Sequence, residues 1–207
     1  MHNPPWNKGK KLPAEVLTKR EARRLLNQCT NVLRGGKNIF CGPRNKALLT
    51  ILYRGMLRCQ EALSLMQKDV DLEAGTVHIL HGKGDKARLI GMDSGTITIL
   101  KDYEEKRAER GVNGSDHFFC TLTGKPLSGV FVRNLCKQLA LRAEIRKRVH
   151  PHGLRHTGAV ELLKEGVNVV EIQHILGHSS LATTVVYLDH LNPGQIINTM
   201  QNRKFKG

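Results

Sequence analysis

The sequence predicts a mainly α-helical fold with one small antiparallel β-sheet, an α+β domain. Three observations carry that prediction. Apolar residues recur at helical spacing through most of the chain, the helical stretches open and close on capping residues, and only one pair of branched segments is separated by a tight turn.

Residues 1–17 hold Pro4, Pro5, Pro13 and the lysines Lys8, Lys10 and Lys11 among few apolar side chains, the composition of an extended arm or linker. Thr18 followed by Glu21 is a capping box, and Ala22, Leu25, Leu26 and Cys29 then share a face, which predicts a helix over 18–29. Pro43 suits a first helical position, with a stripe of Ala47, Leu48, Ile51 and Leu52 running to about Leu57. A short helix, CQEALSL, follows directly. TVHIL and ARLIGM flank HGKGDK, whose glycines and Asp85 are turn chemistry, so this stretch reads as a β-hairpin with Lys83 near its tip. Ser94 suits the cap of a helix that Gly111 stops near Arg110, HFFC reads as a short strand, and Ser128 opens a helix through Ile145. A helix over 152–165 carries Leu154, Ala159, Leu162 and Leu163 near one face and ends at Gly166; Asn168 caps another to Leu176. The last stretch, HLNPGQIINTMQNRKFKG, reads as a short helix and a basic tail. No internal repeat is found.

The chain of 207 residues is expected to build one domain. Its 33 Lys and Arg against 18 Asp and Glu give a formal charge of +15, which favours a polyanionic partner through counterion release and long-range steering. Nucleic acid leads; a ribosome-like structural role and a membrane surface are the other classes such a charge admits. The five cysteines Cys29, Cys41, Cys59, Cys120 and Cys136 are odd in number and contain no CxxC pair, so they read as reduced core thiols. The opening residues lack the apolar centre of a signal peptide, and no run reaches the ~20 apolar residues of a membrane span, so a cytoplasmic location is expected.

The chemistry-bearing residues cluster in two phrases. HGLRHTGAV, residues 152–160, places His152, Arg155 and His156 on one predicted helix; LGHSSLATTVVYL, residues 176–188, brings His178 and Tyr187. His152 with His156, and His174 with His178, are i,i+4 pairs at which two imidazoles share a face and zinc becomes a rival reading. Arg155 inside the first pair would repel a dication, no HExxH glutamate is present and no cysteine is near in sequence, so no metal is assigned. Upstream, Arg58 in GMLRCQEAL has Glu61 three positions on, a carboxylate placed to hold its guanidinium as part of an anion clamp.

Taken in order, an arginine before a helix with Glu at plus three, a lysine in a GKGxK hairpin, HxxRH, LGH and then a tyrosine resemble the tyrosine recombinase, or phage integrase, family over roughly residues 18 to 190. The resemblance implies six catalytic positions, Arg58, Lys83, His152, Arg155, His178 and Tyr187. It also implies that Glu61 supports Arg58 and that His156 packs or supports and does not catalyse. The implied fold is the family's catalytic domain over residues 18–207, with a C-terminal helix and tail that pack on a neighbouring protomer. The implied activity is cleavage and rejoining of double-stranded DNA through a 3′-phosphotyrosyl intermediate, in site-specific recombination or integration, with no metal, ATP or other cofactor.

Physical chemistry agrees with those residue types. Displacement at a phosphodiester gathers negative charge on the oxygens around phosphorus, and two guanidiniums can donate to them in fork geometry. A phenol of pKa ~10 is a poor nucleophile until a base takes its proton, a role that falls to His152. Lys83 is implied as the general acid for the departing 5′ oxygen.

The family's amino-terminal DNA-binding domain has no counterpart in residues 1–17, so DNA contacts are expected from Lys8, Lys10 and Lys11 and from the basic segment Arg133, Lys137, Arg142, Arg146, Lys147 and Arg148. Two alternatives accompany this reading. A type IB topoisomerase relaxes supercoils without exchanging partners, and a non-enzymatic DNA-binding module forms no covalent adduct.

Overall fold

The computed structural model describes residues 15–29, 38–80, 87–112, 114–177 and 184. Among these, the elements run α1 (Lys19–Asn27), α2 (Asn38–Tyr53), α3 (Cys59–Ser64), a 3-10 turn (Gln67–Asp69), β1 (Val70–Asp71), β2 (Thr76–Ile79), β3 (Arg88–Gly91), α4 (Ser94–Glu109), α5 (Gly129–Arg142), α6 (Pro151–Lys164) and α7 (Val169–Leu176). Helices around a small antiparallel sheet match the predicted class. The expected arm, apart from residues 15–17, and the expected C-terminal helix and tail lie outside the described residues.

The capping box at Thr18 forms as expected: its hydroxyl accepts from the Glu21 amide at 3.2 Å and the Glu21 carboxylate takes the Thr18 amide at 2.7 Å. Helix α2, the hub of the fold, packs on α1, α3, α4 and α6. It is buried around most of its circumference, with Ala47, Leu48, Leu49, Ile51 and Leu52 all inaccessible. It begins earlier than Pro43, which lies inside the helix and not at its first position. Two features permit this. Gly42 has no Cβ to collide with the proline ring, and Phe40 is buried edge-on against Tyr103 of α4 at 5.8 Å, an apolar gain from the extra turn. Tyr103 also meets Phe118 and Phe119, each at 5.7 Å, and gives its hydroxyl hydrogen to the Phe118 carbonyl at 2.8 Å. The HFFC stretch therefore forms an aromatic plug and not a strand, its β-pairing limited to the isolated bridges Met66↔His117 and Cys120↔Pro126 among the described residues. Phe118, Phe119 and Cys120 are all buried, without the in-and-out alternation of a half-buried strand.

The hairpin is present, with Thr76↔Gly91 through Ile79↔Arg88 in antiparallel register. Val77, Ile79 and Ile90 turn inward. A third strand, β1, pairs as Val70↔Val77; two residues are too few to give a periodic signal. The tip, with Lys83, lies outside the described residues.

Helix α2 ends at Tyr53, short of the expected Leu57, and three further helix ends differ from expectation. Asp93 and not Ser94 caps α4, its carboxylate accepting from the Thr96 amide at 3.0 Å and the Thr96 hydroxyl at 2.9 Å, because a carboxylate interacts better with the positive helix end than a hydroxyl does. Helix α5, capped by Ser128, stops at Arg142 short of Ile145: Glu144 turns left-handed (φ 52°) and the Ile145 amide folds back to the Ala140 carbonyl at 2.9 Å. Helix α6 starts at Pro151, with His150 Nδ1 accepting from the Gly153 amide at 3.1 Å.

Helix α6 crosses α2 at backbone contact. A Cβ on Gly158 would lie 2.0 Å from the Tyr53 carbonyl oxygen and 2.8 Å from Met56 Cγ. Met56, Ala159, Val160, Leu163, Ile172 and Leu176 close a second apolar cluster joining α6 and α7 to the end of α2. All five cysteines are free thiols. Burial pushes Cys29 up to about 12; burial, together with the neighbouring Cys59 and Cys29 thiols, does the same to Cys136. No helix among the described residues is long and apolar enough to cross a membrane.

Candidate active site

Glu61 is the pivot of the site. It lies in the first turn of α3, its side chain only 3% exposed. Arg58, at the N-cap of α3, donates its amide at 2.7 Å and its Nη1 at 2.6 Å to that carboxylate. Arg88, the first residue of β3, meets the same carboxylate with both Nη atoms at 2.9 and 2.8 Å, a fork-on-fork pair. Arg155 Nη1 stands 3.7 Å from Glu61 Oε2. Burial alone would raise the Glu61 carboxyl; the Arg88 and Arg58 hydrogen bonds and the Arg88 charge outweigh it and hold the group at about 2. Three guanidiniums around one carboxylate leave a cationic excess, the electrostatic requirement for an anion-binding centre.

Arg155 is fixed from both ends. Its Nη1 donates to the Met56 carbonyl at 2.6 Å and its Nη2 to the Leu176 carbonyl at 2.5 Å. Met56 takes a left-handed backbone (φ 51°), uncommon for a residue with a side chain. That turn buries the Met56 side chain in the α6–α7 cluster while its carbonyl holds Arg155.

The C-terminus of α7 completes the cradle. Its last carbonyls receive one arginine each: Ile175 from Arg88 Nε at 3.1 Å, Leu176 from Arg155, and Gly177 from Arg58 Nη2 at 3.0 Å. Guanidiniums suit this end of a helix, where unpaired carbonyls concentrate negative potential. Gly177 closes α7 in the left-handed conformation (φ 60°), and a Cβ there would press on the Arg88 guanidinium at 3.0 Å. The LG of the LGH phrase is thus a docking end for three arginines, and residue 178 follows directly.

His152 stands exposed on the first turn of α6, its ring stacked parallel to His150 at 6.5 Å between centroids. Partial burial, then the charges of Arg155, His150 and Arg58, lower its pKa below the ordinary 6.5. At neutral pH the imidazole is uncharged and able to accept a proton. His156, four residues on, is buried in the helix and so in a different environment from His152, the other member of that i,i+4 pair.

Of the six predicted catalytic residues, Arg58, His152 and Arg155 fall in one place with Glu61. Lys83, His178 and Tyr187 lie outside the described residues, as do Lys8, Lys10 and Lys11. In the basic segment, Arg133, Lys137, Arg142, Arg146 and Arg148 are exposed. Lys147 is half-buried and engaged with Glu21 at 2.7 Å and the Val16 carbonyl at 2.9 Å, tying α1 and the residues just before it to the α5–α6 connection. Sequence reasoning missed Arg88; its only signal was a charge opening an otherwise apolar strand.

Residues 15–193 match the sequence model of the phage integrase family. The chain belongs to the phage integrase family. Among curated relatives of this integrase-family chain, the tyrosine recombinase XerC of Bacillus pumilus (strain SAFR-032) is 39% identical over 151 residues, covering 70% of this chain and 49% of the relative. The XerC of Xanthomonas axonopodis pv. citri (strain 306) is 37% identical over 178 residues, 86% of this chain and 54% of the relative. The chain spans about half the length of the curated relatives it matches. The XerA recombinase structure superposes with a TM-score of 0.77 at 28% identity, covering 97% of this chain and 70% of that one. The XerH site-specific recombinase bound to its palindromic difH substrate, a post-cleavage complex, gives 0.74 at 29%, covering 94% and 54%. The catalytic domain of bacteriophage HP1 integrase shares the fold at 22% identity and a TM-score of 0.61, covering 92% of this integrase-family chain and 95% of that one.

Proposed function

We propose that this chain breaks and rejoins DNA strands through a transient covalent bond between Tyr187 and a 3′ phosphate, in site-specific recombination or integration. The observation that carries this reading is the convergence of Arg58, Arg155 and a neutral His152 around Glu61, in a chain whose family match runs on past Tyr187. Duplex DNA is the partner that the +15 charge and the DNA-bound relatives favour.

The phenol oxygen of Tyr187 attacks phosphorus while the bond to the 5′ oxygen breaks. The phenolic proton passes to His152 Nε2 or Nδ1, Lys83 supplies a proton to the departing 5′ oxygen, and Arg58 and Arg155 stabilise the charge on the non-bridging oxygens, with His178 as a further donor. Attack by a 5′ hydroxyl reverses every step, so the bond energy is kept and no nucleotide cofactor is consumed. Residues 18–207 are the catalytic unit in this reading, residues 1–17 a basic arm, and the segment after Tyr187 a contact between protomers on DNA. Arg58→Ala and Arg155→Ala test the clamp. Each should slow covalent capture of a nicked suicide duplex by ~10²-fold or more, the worth of one preorganised donor; near-normal rates in both would place the clamp elsewhere.

A further inference from the structure

We propose that Arg88 is a positioning residue of the reaction: it holds Glu61 and the end of α7 in the one arrangement that presents Arg58 and Arg155 to a phosphate. The inference rests on the functional reading above and concerns a residue outside the six catalytic positions.

The geometry separates Arg88 from an ordinary strand arginine. All three of its nitrogens are engaged, two on the Glu61 carboxylate and Nε on the Ile175 carbonyl, and its side chain is only 12% exposed. It therefore bridges three elements, β3, α3 and α7, at one point. Glu61 faces Arg58 on its own element, Arg88 from β3 and Arg155 from α6. Without Arg88, each Glu61 oxygen loses a donor, and the carboxylate is free to rotate toward Arg58 and Arg155, pulling their guanidiniums out of position. Burial, which raises the Glu61 carboxyl, would also go unopposed by its strongest partner. The end of α7 would lose one of its three arginine ties. Gly177 fits this role, because any side chain there would push the Arg88 guanidinium aside. The register Ile79↔Arg88 puts this bridge at the last described pair of β2 and β3, so the clamp is anchored on the strand pair.

The test is a double-mutant cycle read by single-turnover cleavage of a suicide duplex by the full chain, with rates normalised to folded protein and DNA affinity measured alongside. Arg88→Ala should lower the cleavage rate by roughly 10- to 100-fold, the usual effect of removing a supporting partner, while DNA affinity changes by about twofold or less. Because Arg88 acts through Glu61, adding Arg88→Ala to Glu61→Gln should slow that variant by no more than about twofold. Millimolar guanidinium ion should restore part of the rate to Arg88→Ala and none to the parent. If Arg88→Ala does not fold, Arg88→Lys is read in the same cycle and should show the same non-additivity. A normal rate per folded molecule, or losses that multiply in the double variant, overturns the proposal. Tyr187→Phe separates the two claims: an adduct persisting there sinks the functional reading, whereas an inert Tyr187→Phe beside normal Arg88 variants sinks only this one.

Discussion

Gly158→Ala tests how the helix crossing sets the site. The added Cβ would stand 2.0 Å from the Tyr53 carbonyl oxygen, whereas such contacts essentially never fall below 3.0 Å, so α6 must move off α2 by 1.0 Å or more. Backbone lies on the receiving side, and no flexible side-chain end can yield. The same methyl would come 2.8 Å from Met56 Cγ, on the residue whose carbonyl holds Arg155. Overpacking of this kind costs about 1–3 kcal/mol of stability. A displacement near 1 Å of a helix carrying both Arg155 and His152 should lower the cleavage rate by ~10²-fold, since catalytic groups misplaced by that distance lose about that much. Urea unfolding followed by circular dichroism measures the first quantity, and single-turnover cleavage of a suicide duplex, normalised to folded protein, measures the second. Parent-like stability together with a parent-like rate would refute the argument that the α2–α6 contact positions the clamp.

The remaining expectations concern charge. Glu61→Gln leaves three guanidiniums without their carboxylate and should cost about 3–5 kcal/mol at neutral pH. Because the folded Glu61 carboxyl is depressed to about 2 from an ordinary 4.5, its contribution is present above 4.5 and lost as pH falls toward 2. Acid titration of stability should therefore flatten across that window in Glu61→Gln, and an unchanged profile would mean the carboxylate is not held as described. Cleavage should rise with pH through a midpoint below 6.5, since burial and the charges of Arg155, His150 and Arg58 keep His152 neutral; a midpoint above 6.5 in the pH–rate profile would contradict its role as base. DNA binding should weaken with a log–log salt slope near −4 to −5 if roughly five phosphates are neutralised, and deleting residues 1–13 should make it shallower without changing cleavage at saturation. Fluorescence anisotropy across a salt series checks this, and a flat response would exclude the basic arm and the α5 segment as phosphate contacts.

Much of the site was legible because its chemistry sits at fixed spacings. Arg58 with Glu61, and His152 with Arg155, are pairs whose distance along a helix already places them together, and the structure closes the gap between the two pairs. The hairpin was legible from its turn glycines and branched flanks. What escaped depends on tertiary contact. Arg88 looks like a solvent-facing charge at a strand end until the fold brings α3 and α7 to it. The carbonyls of Met56, Ile175, Leu176 and Gly177 carry no side-chain signal at all, yet they fix all three arginines. Pro43 misled because burial of Phe40 outweighs one missing hydrogen bond, and Ser94 because the residue before it is a better cap.

Covalent capture of DNA is the step on which the proposed function stands, and trapping it is the direct test. The full chain is incubated with a nicked suicide duplex, denatured, and resolved for a protein–DNA band, with the modified peptide identified by mass spectrometry. An adduct on Tyr187 is expected, absent from Tyr187→Phe while that variant keeps its fold and DNA affinity. An adduct persisting in Tyr187→Phe, or one mapped to another residue, would contradict it.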